Sequence, residues 1–255
     1  MKRILVRADD LGYSRAVNYG IYDTVHNGII NNVGVMTNMP STSMGLDLLK
    51  NEDVDYGMHT NITNGRPILP AKEVPSLVDK NGYFIRSKVY RENWADKKQD
   101  FAELDELVAE IDAQYQKFLK LLGKKPDYFE GHAVMSNNFV KALQIVANKY
   151  NLPILHFSFD NKPIHFLHNT EFNVYMKSMK PNYDPKVVIK NMMQHSEDKV
   201  IPMMICHPGY LDQYILNTSS LTTNRTKEVD MAMDPEITKL IKNNGIKLIR
   251  YSECN

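Results

Sequence analysis

Five residues carry the chemistry that this sequence can offer: Asp9, Asp10, His59, His132 and His207. Asp9 and Asp10 close the apolar run Arg3–Ala8. His59 sits inside Tyr56-Gly-Met-His-Thr-Asn-Ile62, His132 ends Tyr128-Phe-Glu-Gly-His132, and His207 follows Val200–Cys206 in Cys206-His-Pro-Gly209. Taken singly, each has an ordinary reading: a solvated Asp turn, or an imidazole hydrogen-bonded within a strand. Taken together they are selective, since structural histidines have no reason to gather after apolar strands. One carboxylate and two imidazoles on one rim make a mononuclear divalent-metal site with open positions for water or substrate. Adjacent carboxylates repel, so an interior pair needs a cation or separate roles. The second Asp and His207 then stand where a general base and a general acid are wanted. The residues alone leave open which Asp binds metal. They also leave open non-haem Fe(II) oxidation, which uses a similar ligand set but has no need of a hydrolytic base.

The elements that must position these residues alternate in type. Strand patterns cover Arg3–Ala8, Val33–Asn38, Tyr56–Ile62, Tyr128–His132, Ile154–Phe159, Val200–Cys206 and Ile246–Tyr251. Several are near-continuous apolar runs, as parallel strands buried on both faces require. Helices are legible from their ends. Ser14 caps one through His26, stopped by Asn27-Gly28, and Asp100 with Glu103 starts the longest, stopped by Gly123. Further helices are expected over Asn137–Tyr150, Pro185–His195 and Pro235–Asn244. Strands interleaved with helices predict an α/β fold, a distorted (β/α) TIM-like barrel, with catalytic residues at the C-terminal ends of strands. The expectation is a single domain over 1–255 with irregular insertions at about 64–99 and 161–184. No GxGxxG or Walker pattern follows the first strand, so neither a dinucleotide nor an NTP is indicated.

Composition narrows the partners. The chain has 255 residues, 43% apolar and 24% charged, enough for a sizeable core in an ordinary globular protein. Lys plus Arg (31) nearly equals Asp plus Glu (30), which leaves no electrostatic footprint for nucleic acid or an anionic membrane. The early apolar run stops at Asp9, short of the roughly 7–15 residues of a secretory core or the ~18 of a membrane span. Two cysteines, Cys206 and Cys254, make no disulfide framework. A cytoplasmic location is expected.

At these motifs the sequence resembles the YdjC/ChbG-type carbohydrate deacetylases. Ala8-Asp-Asp-Leu-Gly-Tyr-Ser14 with Asn18 and Gly20-Ile21 is similar to that family's ADDFGLS opening. Gly57-Met-His-Thr-Asn-Ile-Thr63 with Gly65 and Pro67, Pro126 to His132, Cys206-His-Pro-Gly-Tyr210, Asp212, Arg225 and Glu228 extend the likeness over nearly the whole chain. The resemblance implies a distorted β/α barrel, a divalent ion (Mg²⁺ or Zn²⁺) and removal of N-acetyl groups from amino sugars, often chitooligosaccharides. It assigns Asp9 as base, Asp10, His59 and His132 as metal ligands, His207 as acid, and Asn61 and Arg225 as substrate-binding residues. It also suggests a homodimer. One departure stands out: where the family has D-S-H-x-H-x-H, this chain reads Glu130-Gly-His-Ala-Val-Met-Ser136, keeping the first histidine and replacing the others by Val134 and Ser136. That change admits a sugar-binding member with weakened catalysis as the alternative.

Overall fold

A computed structural model describes residues 1–96, 100–134, 136–156, 162–167, 169–197 and 199–254. In chain order the first elements are β1 (Arg3–Leu11), α1 (Arg15–His26), β2 (Asn32–Val35), α2 (Thr42–Leu49), β3 (Asp55–Thr60), α3 (Ser87–Ala95), α4 (Leu104–Leu122) and β4 (Tyr128–Gly131). Then come α5 (Asn137–Tyr150), β5 (Ile164–His165), β6 (Glu171–Tyr175), α6 (Pro185–Met193), β7 (Ile201–Cys206), α7 (Gln213–Thr218), α8 (Thr223–Ala232), α9 (Pro235–Asn243) and β8 (Lys247–Leu248). The sheet order is β4-β3-β2-β1-β7-β6-β5, with β8 paired to β1. The fold is α/β, as the alternating pattern predicts.

The chain divides into two compact units: residues 1–35, 41–56 and 155–255, and residues 36–40 and 57–154. In the first, β1 is the organising strand. It runs parallel to β2, β7 and β8, with Leu5 opposite Met203 and Ala8 opposite Cys206. A strand paired on both sides and covered on both faces must be apolar, and Ile4, Leu5, Val6 and Ala8 are fully buried. Helix α1 is capped by Ser14, whose Oγ accepts from the Val17 N–H at 3.3 Å. Asp184-Pro185 and Asp234-Pro235 start α6 and α9 in the same way, with Asp at the cap and Pro inside the first turn.

In the second unit β3 and β4 run parallel, with Gly57 opposite Tyr128 and His59 opposite Glu130. Any Cβ on Gly57 would lie 2.2 Å from the Tyr128 ring, so glycine is required there. Helices α4 and α5 bury Leu107, Ile111, Phe118, Phe139 and Val146. Gly123 ends α4 in the left-handed conformation at φ 68°.

Several boundaries differ from expectation: β1 runs on to Leu11, β2 ends at Val35 and β3 at Thr60. Helix α4 begins at Leu104 with Glu103 at its cap, while Asp100 accepts from the Ala102 and Asn138 N–H groups and so ties the start of α5. In the expected strand over 154–159, Ile154 makes one isolated bridge to Phe129, and residues 157–159 lie outside the described ones. The stretch 161–184 contains β5 and β6, the latter parallel to β7 from Phe172 through Tyr175. Glu171 and Asn173 hide that strand, because only Phe172 is buried in it. The last strand shortens to Lys247–Leu248. Within 64–99 the chain forms two single 3₁₀ turns, α3 and a bridge between Val78 and Phe84. Among the described residues, no helix is long and apolar enough to cross a membrane.

Candidate functional site

The carboxylates of β1 sit at an irregularity. Ala8 opposes Val33 and Leu11 opposes Val35, so three steps along β1 match two along β2, the signature of a β-bulge. Asp10 takes up the distortion at φ 81°, a left-handed conformation that Asp tolerates better than most residues. Bulges re-aim side chains, and here two successive acids are both buried. Asp9 accepts from Arg7 Nη2 at 2.8 Å, the two side chains lying two residues apart on one face of the strand. Arg7 also donates to the Tyr251 hydroxyl at 3.1 Å. Asp10 accepts from Arg225 Nη2 of α8 at 2.7 Å. Both ion pairs are almost wholly shielded from water, so breaking either is costly.

His207 follows β7 and is half-buried. Its backbone N–H donates to Glu228 Oε2 at 2.7 Å, and its carbonyl accepts from Arg225 Nη1 at 3.3 Å. Burial pushes the Glu228 carboxyl up, while donors from Ser178, Tyr183 and the His207 N–H pull it back. Gly20 explains another motif residue: a Cβ there would fall 2.5 Å from the Gly209 Cα. The turn after His207 therefore packs backbone to backbone on α1. Asn18 accepts from the Gly12 N–H at 2.7 Å and donates to the Ser41 carbonyl at 2.8 Å, clamping the loop after β1.

In the second unit, His59 Nδ1 lies 2.7 Å from Glu130 Oε1 and His59 Nε2 lies 2.9 Å from His132 Nδ1. The two rings meet edge to face, with centroids 4.9 Å apart. A carboxylate accepts, so the Glu130 contact assigns the Nδ1 proton of neutral His59 and turns its Nε2 lone pair toward His132. Ser136 caps α5, its Oγ accepting from the Phe139 N–H at 3.3 Å, and Val134 is buried. Both positions where the family pattern has histidine thus serve packing and capping. Asn61 is fully buried. Its Nδ2 donates to Asn38 Oδ1 and the Asn64 carbonyl, and its Oδ1 accepts from the Thr63 and Asn64 N–H groups. It shapes the turn after β3, as Arg225 holds Asp10.

Asp10, His59 and His132 form an Asp/His group that could hold a metal, each offering one ligand atom. Asp9, His59 and Glu130 form another such group. The His59–Glu130 hydrogen bond favours the first set, because it engages Nδ1 and leaves Nε2 for an ion. Two metal–nitrogen bonds of about 2.1 Å at a tetrahedral angle span ~3.4 Å, close to the separation of the facing imidazole nitrogens. The residues fit a divalent cation.

Reading along β1 and β4 exposes two functional partners missed at first. Arg7 and Glu130 each stand two positions before a recognised residue, Arg7 on the same strand face as Asp9 and Glu130 just ahead of His132, which follows β4. Ser178 and Tyr183 lack any such signal, since they reach Glu228 from a distant turn.

An α/β fold with buried Asp and His side chains that could hold a metal defines a candidate metalloenzyme. A family model described as YdjC-like protein matches residues 3–243, and the chain belongs to that family. A carbohydrate deacetylase of Clostridium beijerinckii is 30% identical over 258 residues, covering 98% of this chain and 99% of that one. The crystal structure of an Enterococcus faecalis protein, described as a candidate cellobiose-phosphate cleavage protein, superposes with a TM-score of 0.80 at 24% identity. It covers 98% of this chain and 97% of that one. A family 4 acetyl xylan esterase from Clostridium thermocellum, solved with a cobalt ion, gives a TM-score of 0.52 at 12% identity, over 99% and 89% of the two chains. The fold is the distorted α/β barrel shared with such esterases.

Proposed function

We propose that this chain is a metal-dependent carbohydrate deacetylase that removes the N-acetyl group from an amino sugar or chitooligosaccharide, releasing acetate and a free amine. The observation that carries the reading is His59, fixed by Glu130 with its Nε2 toward His132 and grouped with the Asp10 carboxylate. Kinship with a full-length relative named carbohydrate deacetylase supports the acyl chemistry.

Asp10, His59 and His132 would hold the cation, Mg²⁺ or Zn²⁺. When bound, such an ion polarises an amide carbonyl and makes a nearby water more acidic. Arg225 orients Asp10 for that task through its 2.7 Å contact. Asp9 accepts the proton of the attacking water, its carboxylate held in place by Arg7. His207 gives a proton to the departing amine. The paired acids favour hydrolysis over iron-based oxidation, because only hydrolysis employs the second carboxylate as a base. A screen for acetate release over N-acetylated mono- and oligosaccharides tests the reading. Release from at least one is expected, and none from any of them would leave only a sugar-binding role.

A further inference from the structure

Glu228 of α8 is fully buried and receives three hydrogen bonds. Its Oε2 accepts from the backbone N–H of His207 at 2.7 Å, while Oε1 faces both Ser178 Oγ at 2.6 Å and Tyr183 Oη at 2.7 Å. A backbone N–H can only donate, and both hydroxyls donate to Oε1, so Glu228 accepts all three bonds. Ser178 has a single hydroxyl proton, and it is then directed at Glu228. Toward His207 Nδ1, 3.4 Å away, the Ser178 oxygen can therefore only accept. Ser178 is itself fixed, since Asn224 Nδ2 donates to its carbonyl at 2.8 Å.

We propose that Ser178, acting with Glu228, is a positioning residue that holds the His207 proton on Nδ1 and leaves Nε2 to exchange a proton with substrate. The inference rests on the reading of His207 as the acid. In the step it implies, the C–N bond of the acetamide breaks and its electron pair passes to nitrogen. That nitrogen takes the Nε2 proton of the imidazolium, and the neutral ring keeps its Nδ1 proton on Ser178. The proton that Asp9 takes from water replaces the one given up at Nε2, so the cycle closes.

The test is ¹⁵N NMR of the histidine rings in the full chain, at a pH where His207 is neutral. A protonated Nδ1 and a bare Nε2 are expected, with the Nε2–H form gaining population in Ser178→Ala while the far-UV circular dichroism stays unchanged. In parallel, kcat on an N-acetylated chitooligosaccharide falls about 10²-fold with KM unchanged, and Ser178→Thr, which keeps the hydroxyl, restores both. A neutral His207 with its proton on Nε2 in the unaltered chain would overturn the proposal, as would an unchanged tautomer in Ser178→Ala. Absence of acetate release from the unaltered chain would remove the acid role, and the NMR result would still decide whether Ser178 sets the tautomer.

Discussion

Glu130 faces His59 directly across the β3–β4 ladder, and their side chains meet at 2.7 Å between Oε1 and Nδ1. Strand register therefore sets the orientation of the imidazole, and His132 follows directly after the end of β4. Replacing Glu130 with Gln keeps the size but removes the charge that holds the Nδ1 proton. Zn²⁺ affinity by calorimetry should drop roughly 10- to 100-fold, the usual cost of losing such a partner. Unchanged affinity would show that Glu130 is only a packing residue.

Asp9 and Asp10 are adjacent in sequence but pair with different arginines, Arg7 and Arg225. Asp9→Asn should leave metal stoichiometry intact and lower kcat by roughly 10²–10⁴-fold, since Asn cannot take the proton. Asp10→Asn should weaken the metal, because a charged ligand oxygen becomes neutral. The reverse pattern would exchange the two roles.

Gly20 and Gly209 bring α1 against the turn after His207, with a Cβ on Gly20 only 2.5 Å from the Gly209 Cα. Backbone cannot yield as a flexible side chain can. Gly20→Ala should cost about 1–3 kcal/mol in denaturant unfolding. It should also lower kcat by displacing His207. Full stability with full activity would mean that the helix and the turn separate at no cost.

His132 and His207 were legible because each stands at the end of a strand pattern, where chemistry can be exposed, and His59 because it lies within such a pattern. The bulge was not legible. Nothing in Arg7-Ala-Asp-Asp-Leu11 distinguishes a regular strand, which would send Asp9 and Asp10 to opposite faces, from one with an extra residue. β6 escaped because its single buried residue, Phe172, is too little for a period to show. Asp100 illustrates a local pattern overridden by tertiary demand. It has a capping residue's chemistry, yet it accepts from the Asn138 N–H of a different helix.

Glu110 of α4 is buried and accepts from the Ile68 and Leu69 N–H groups and from Gln114 Nε2. Gln114 in turn binds both the N–H and the carbonyl of Asn61, so this pair holds the turn that follows His59 and Thr60. Burial raises the Glu110 carboxyl above its ordinary 4.5, although its hydrogen bonds oppose the shift. A folded-state value above the unfolded one gives a contribution fully present below about 4.5 and lost as pH climbs through the raised value. Gln cannot titrate. The melting-temperature difference, unaltered chain minus Glu110→Gln, should therefore be most positive below that pH and should decrease above it. A difference that grew as pH rose would contradict the burial argument.

The central claim is that acetate release depends on a divalent ion held by Asp10, His59 and His132. The direct measurement is acetate release from an N-acetylated chitooligosaccharide by the intact chain, after chelation and again after adding Mg²⁺ or Zn²⁺, beside His132→Ala. The account predicts release that stops on chelation, returns with the ion, and stays absent in His132→Ala at any ion concentration tested. Release that persists in thoroughly chelated protein, or in His132→Ala without added metal, would contradict it.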